Sequence, residues 1–495
     1  MKIVDSDALK YKAVNGSILY SNAGGKYGLP DKCPVSYKER GFLLQIRRPN
    51  CFAKKTGSYL RGNLMKRISR LIFILAWLLA LHLLTAGNSF SMELVFKDTQ
   101  YSFQTLRALS YAVAGGADVG EVLKTAFSIK EGDDESWYRE WLKTGEQREK
   151  AGDDFLALGR KISARQEFFK ASNYYRTAEF FLHTNPEDPR IVSVWKKSRD
   201  SFRKAAKLAD HPIMPVEIPF EGTTLAGYLC LVDKSRAKRP LLLVQSGFDG
   251  TIEELYFETA HFAVKRGYNV LLFEGPGQGG VIRVQKLPFR PNWETVVTPV
   301  VDYALTRKEV DAKRIALMGI SLGGYFAPRA VAFEKRIKAC IANGGVYDFH
   351  MAARLPPEEE KELDTQKGAE KIDRAIYSRM KTNPSFRWSI ANGMFTFHAK
   401  SPSDWFKMTR SYTMKDVAAK ITCPMLIVDS EGDKDMPGQA RKLYDALKSP
   451  KDFMLFTKEE GAEEHCQMGA ILISNARILD WLDGIMMKGK AGKQR

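Results

Sequence analysis

Gly319-Ile320-Ser321-Leu322-Gly323 follows directly on the strand-like run Arg314–Met318 and precedes a helical stretch. Strand, tight turn and helix with a serine at the apex form a nucleophile elbow. The glycines two residues before and after Ser321 are required because side chains there would collide with the neighbouring strand and helix. The turn lifts the hydroxyl above the sheet and aims the positive end of the helix at it. G-x-S-x-G alone is common in glycine-rich turns; its flanking strand and helix make the signal specific.

The surrounding pattern agrees with that placement. Short apolar runs alternate with helical stretches: Leu225–Val232, Leu241–Val244, Val270–Phe273, Ile315–Met318, Ile337–Ala342, Met425–Val428 and Phe453–Phe456. The later runs are continuous and end at Gly, Pro or Asp, as strands buried on both faces do. The fold class is therefore α/β, a doubly wound, mostly parallel sheet over residues 211–486. Between Tyr347 and Ile421 lies an aromatic-rich insertion, read as a lid. Residues 92–210 read as an all-helical domain, with Phe155, Leu158, Ile162 and Phe169 proposed as one buried stripe.

The formal charge of +18 first suggests a polyanionic partner, but its distribution argues otherwise. Residues 1–91 hold 15 Lys/Arg against 4 Asp/Glu, and the tail 487–495 adds four more cations. The body between them carries only +3, so no nucleic-acid partner is expected. Residues 1–64 show no sustained period and read as disordered or as a misassigned start. The basic cluster before Leu71–Leu84, followed by small residues, makes 65–91 a signal peptide or membrane anchor. Membrane association would run through 68–87 with the catalytic domain outside the cytoplasm; a start at Met92 would leave the protein cytoplasmic. Six scattered cysteines lack metal spacing, so no metal and no cofactor is expected.

A serine hydroxyl needs a base, and the fold orders serine, acid, histidine along the chain. Of seven histidines only His465 follows the last plausible acid, in the loop after the strand ending at Phe456. Among Asp429, Glu431, Asp433 and Asp435, the first two sit too near the strand end to reach it. Asp433 is preferred over Asp435 because it occupies the turn before a helix that Pro437 opens. The backbone N–H of Leu322 and that of Phe248, in Ser246-Gly247-Phe248-Asp249-Gly250, are the expected oxyanion donors. Glu274-Gly275-Pro276-Gly277-Gln278-Gly279 lacks dinucleotide and P-loop spacing and reads as a tight turn beside the site, with Glu274 structural.

Several motifs together resemble the α/β-hydrolases that carry an N-terminal helical cap, typified by dihydropseudooxynicotine hydrolase and fungal polyketide-shortening hydrolases. They are Gly115-Gly116-Ala117-Asp118, Ser136-Trp137-Tyr138, Tyr174-Tyr175-Arg176, Asp188-Pro189-Arg190, Glu274-Gly275-Pro276-Gly277, Ser321-Leu322-Gly323-Gly324 and Glu460-Gly461-Ala462-Glu463-Glu464-His465-Cys466. The resemblance implies the triad Ser321, Asp433 and His465, and a helical domain that caps the active site.

The expected activity is cleavage of an ester, or of a C–C bond beside a ketone, in a small, largely apolar carbonyl compound. An acylaminoacyl or dipeptidyl peptidase is the alternative, and a non-catalytic binding protein is the alternative of another class. Trp388, Phe395, Phe397 and Trp405 are expected near the catalytic face. Whether the chain forms a homodimer is left open.

Overall fold

The computed structural model describes residues 94–353 and 355–487, together with the backbone of three short strands near the start of the chain. Those strands, Tyr11–Val14, Ser17–Ser21 and Tyr27–Gly28, pair antiparallel in sequence order, in a stretch without a legible strand period. The segment 65–91, the rest of 1–64 and the tail from residue 488 lie outside the described residues. Among the described residues no helix is long and apolar enough to cross a membrane.

Eight strands build the main sheet: β1 (Ile213–Phe220), β2 (Thr223–Cys230), β3 (Arg239–Gln245), β4 (Asn269–Phe273), β5 (Val310–Ile320), β6 (Ala339–Asn343), β7 (Met425–Ser430) and β8 (Lys451–Phe456). Their order is β8-β7-β6-β5-β3-β4-β2-β1. Strands β3 to β8 run parallel, while β2 joins β4 and β1 in antiparallel pairs. Alternate residues of β3 feed opposite layers: Leu241 and Leu243 enter one core, Leu242 and Val244 the other. A strand buried on both faces must be apolar throughout, which is why these runs are legible in sequence. The edge strand β1, absent from the sequence reading, alternates buried and exposed positions and carries Pro215 and Pro219. Proline is tolerated there because an edge leaves N–H groups unpaired.

Among the described residues five α-helices precede the sheet: α1 (Thr99–Ser110), α2 (Val119–Phe127), α3 (Asp134–Ala157), α4 (Lys161–Glu179) and α5 (Pro189–Lys207). Asp98, Asp133 and Asp188 cap α1, α3 and α5, and Pro189 opens α5 where its missing N–H costs nothing. The predicted stripe from Phe155 to Phe169 does not exist. Gly159, at φ +71°, ends α3, and Leu158 and Ile162 are 66% and 65% exposed at the tip between α3 and α4. The buried faces are instead Trp137 and Trp141 on α3 and Ala164, Phe168, Ala171 and Tyr175 on α4. Each large apolar side chain so buried is worth about 1.5–3 kcal/mol.

Helix α6 (Gly323–Val331) follows β5, and the insertion between β6 and β7 folds into helices, of which α7 (Gln366–Met380), α8 (Pro384–Phe397) and α9 (Pro402–Thr409) are the longest. It is tied to the helical domain by polar contacts: Ser385 Oγ donates to Asp98 Oδ1 at 2.8 Å, and Arg387 forks onto Asp134 at 2.9 Å. The last helix, α10 (Ile471–Met486), packs its Ile478, Leu479 and Leu482 into the sheet core.

Candidate active site

The elbow stands at the end of β5. Ser321 has φ +61°, in the left-handed region that side chains disfavour, and its N–H donates to Asn343 O at 2.6 Å on β6. Side chains at the flanking glycines would not fit. A Cβ at Gly319 would lie 2.0 Å from Gly323 O, and one at Gly323 would lie 2.8 Å from Ser246 O.

His465 and Asp433 arrive from the loops after β8 and β7. His465 Nε2 lies 2.9 Å from Ser321 Oγ, and its Nδ1 lies 2.7 Å from Asp433 Oδ2. Asp433 Oδ1 accepts from the N–H groups of Asp435 (2.8 Å) and Met436 (3.0 Å), which fixes the carboxylate in its turn. Asp435 is 4.0 Å from His465 Nδ1 and half exposed, while Asp429 accepts from Ser430 N and Glu431 from Lys458 N. The loop after His465 turns sharply, with Cys466 and Gln467 both at positive φ. Gln467 Nε2 anchors it to Asn343 Oδ1 (2.9 Å) and Ser430 Oγ (3.0 Å).

Burial opposes ionisation of both partners, but each stabilises the other's charge. His465 is held well above the ordinary imidazole range against that burial, chiefly by the Asp433 carboxylate. Asp433 is held below the ordinary carboxylate value by His465, aided by its two amide donors. Asp433, Asp435 and His465 are also the one trio among the described residues whose ligand atoms approach within 4.8 Å. An ion held by His465 Nδ1 would have to break its hydrogen bond to Asp433 Oδ2.

Beside the elbow runs the loop that follows β3. A Cβ at Gly247 would sit 2.5 Å from Leu322 N and 2.9 Å from Ser321 Cβ, so the two backbones touch. Neither Leu322 N–H nor Phe248 N–H donates to an acceptor among the described residues. The Glu274 turn supports this loop from behind: Gln278 Nε2 donates to Ser246 O (2.7 Å) and Gly247 O (3.2 Å). Glu274 accepts from Gly280 N (2.7 Å) and Ile252 N (3.3 Å), and burial pushes its carboxyl up to about 7, with Glu253 adding to the effect.

A cavity of about 470 Å³ opens over Ser321 and His465. Phe103 of α1, Phe248, Phe349, Phe386, Trp388 and Trp405 supply its apolar wall, and Arg107, Asp249, Glu258, Arg379, Lys434 and Asp435 its charged positions beside His465. Of the four aromatics expected here, Trp388 and Trp405 line the cavity. Phe395 packs against His183 instead, and Phe397 lies in the core against Phe289 and Tyr412. The four cysteines among the described residues are free thiols: Cys230 and Cys340 are buried, Cys423 is half-buried, and Cys466 lines the cavity beside His465.

The sequence pattern gives no role to Arg107, and it shows Arg176 and Asp249 only as members of longer motifs. Arg107 Nη1 (2.7 Å) and Arg176 Nη2 (3.0 Å) both hold Asp249 Oδ2, from α1 and α4. The same guanidinium groups reach Glu254 at 3.0 and 2.7 Å, inside a helix with a π turn at Tyr256–Ala260.

Residues 114–355 match the family model described as esterase FrsA-like. The hydrolase LUC6 of Fusarium sp is 34% identical over 410 residues, covering 79% of this chain and 98% of its own. The 20-hydroxy-prefusarin hydrolase FUS2 of Gibberella moniliformis is 33% identical over the same length, with the same coverage. In three dimensions the chain is similar to 2,6-dihydroxy-pseudo-oxynicotine hydrolase, with a TM-score of 0.62 at 19% identity over 77% of this chain and 97% of that one.

Proposed function

The chain belongs to the FrsA-like esterase family and is a hydrolase of the α/β-hydrolase fold, and from that premise we propose that it works through Ser321. The observation that carries the reading is the continuous relay Ser321 Oγ–His465 Nε2–His465 Nδ1–Asp433 Oδ2, at 2.9 and 2.7 Å. Ser321 Oγ attacks the substrate carbonyl while His465 Nε2 takes the hydroxyl proton. Asp433 keeps the Nδ1–H tautomer oriented and stabilises the imidazolium. The N–H groups of Leu322 and Phe248 receive the oxyanion. Collapse of the adduct expels an alkoxide, or an enolate when a C–C bond beside a ketone is cleaved, and the imidazolium protonates it. Water, deprotonated by His465, then releases the acyl group.

The substrate is a small, largely apolar carbonyl compound. The aromatic wall of the cavity supports this, since apolar faces bury the acyl part and keep water from the oxyanion position. Two similar proteins are named as hydrolases of organic small molecules, 20-hydroxy-prefusarin and 2,6-dihydroxy-pseudo-oxynicotine, which is consistent with that class.

A fluorophosphonate probe should label the native protein and not Ser321→Ala. Panels of aryl esters, 1,3-diketones and aminoacyl amides should then show cleavage of the first two classes and little of the third. Absence of labelling on a folded native protein would sink the serine mechanism; faster amide than ester turnover on matched acyl groups would favour a peptidase.

A further inference from the structure

The amide expected to face the oxyanion at Phe248 sits in a loop held at several points. Behind it is Gln278, on the carbonyls of Ser246 and Gly247. On its far side Asp249 is gripped by Arg107 and Arg176. The remaining anchor comes from the insertion: Asn392 Nδ2, on α8, donates to the Phe248 carbonyl at 3.1 Å.

Asn392 is wholly buried, and so are the groups behind it. Its Oδ1 lies 2.7 Å from His183 Nδ1, in the turn Phe180–Thr184 that ends α4. His183 Nε2 lies 2.8 Å from Glu179 Oε1. Arg283 closes the chain, its Nε and Nη2 both 2.9 Å from the Glu179 carboxylate. Burial works against that carboxylate, but Arg283 and His183 hold it well below its ordinary range.

The polarity of this chain is set by its ends. The Phe248 carbonyl only accepts, so the asparagine must present its Nδ2 there and its oxygen to the histidine. The oxygen accepts in turn, so His183 Nδ1 must carry a proton and donate it. Four side chains from the helical domain, the insertion and the body of the sheet thus form one chain that ends, through Asn392, on one peptide carbonyl. A buried polar chain of this kind is costly unless every member is satisfied, and when satisfied it fixes one geometry.

We propose that Asn392, oriented by His183, is a positioning residue that sets the Phe248 N–H for the oxyanion formed at Ser321. The inference rests on the serine mechanism above. It also gives the insertion a part in catalysis: α8 completes the oxyanion site as well as walling the cavity.

Asn392→Asp keeps the acceptor for His183 and replaces the donor to Phe248 with a second acceptor. The expected result on an aryl ester is a fall in kcat of about 10- to 100-fold, below the loss for a deleted donor, with KM changed less than about threefold. Affinity for an aryl boronic acid, which forms a tetrahedral adduct on the serine, should fall by the same factor as kcat/KM. A merely structural role would not make those two losses track each other. Native kcat in folded Asn392→Asp, with Ser321→Ala inactive, overturns the proposal and leaves the serine mechanism standing. Activity of Ser321→Ala equal to native overturns the mechanism itself. Nitrogen-15 NMR of the imidazoles in the native protein serves if the variant does not fold. It should show a proton on His183 Nδ1, and an unprotonated Nδ1 overturns the proposal because the amide would then have to be reversed.

Discussion

Replacing Gly247 by alanine tests how tightly the two proposed oxyanion donors are set. The new Cβ would lie 2.5 Å from Leu322 N and 2.7 Å from Ile320 O, both backbone atoms that cannot rotate away. Ordinary contact begins at 3.4 Å, so the loops must separate by about 0.9 Å. Gln278 and the two arginines resist that movement on one side, and the sheet resists it on the other. A misplacement near 1 Å costs on the order of 10² in rate, and loss of a whole donor about 10²–10³, or roughly 3–4 kcal/mol. Gly247→Ala should therefore lower kcat on an aryl ester by about 10²–10³ with KM little changed. The assay is steady-state hydrolysis beside a thermal melt on the same preparation, so that unfolding is seen separately. A folded variant whose kcat stays within threefold of native would refute the reasoning, because the two loops would then not supply the oxyanion donors.

Ser321→Ala and His465→Ala should each lower kcat by several orders of magnitude, and the double variant should lose no more than either, because the two act as one proton-transfer unit. Additive losses in kcat would mean the pair is wrong. Asp433→Asn should cost on the order of 10⁴ in kcat, while Asp435→Asn, half exposed and 4.0 Å away, should stay within about threefold. Because Asp433 raises the His465 pKa, the acid limb of kcat/KM against pH should lie above the ordinary imidazole value and move down in Asp433→Asn; a limb that does not move would count against that coupling. Glu274, raised to about 7 from an ordinary 4.5, favours the folded state fully below pH 4.5 and loses that contribution as pH rises through 7. The melting temperature should accordingly fall between pH 5 and 8, by less in Glu274→Gln; an equal fall in both would place the cause elsewhere.

The legible parts of this molecule were those written locally. A strand buried on both faces has to be apolar at every position, so β3 to β7 announced themselves, and the elbow's glycines are adjacent in sequence because they serve one turn. The edge strand β1 has one wet face and two prolines, which dilutes the signal. The helical stripe failed because apolar spacing does not report a chain reversal, and Gly159 makes one. Asn392, Arg107 and Arg176 reach the loop of Phe248 and Asp249 across 144, 142 and 73 residues of sequence, and no period encodes such contacts. Trp388 and Phe395 look alike as a lid pair, yet seven residues set them about 10 Å apart along one face of α8, so that one reaches the cavity and the other packs on His183.

The grip of Arg107 and Arg176 on Asp249 bears on how substrate reaches the serine. Apolar layers can slide on one another, because the dispersion attraction given up in one register is recovered in the next. A buried carboxylate between two guanidinium groups has no second register, and stripping it of a partner costs about 3–5 kcal/mol. A state with the helical domain rocked away from the sheet would therefore be populated at roughly one part in 10²–10⁴ at most. Traffic through so rare an opening would cap turnover. Arg379 and Lys434, both exposed, also line the cavity, and a path past them would demand no such rupture. On that path the helical domain would serve as a fixed wall, not a door.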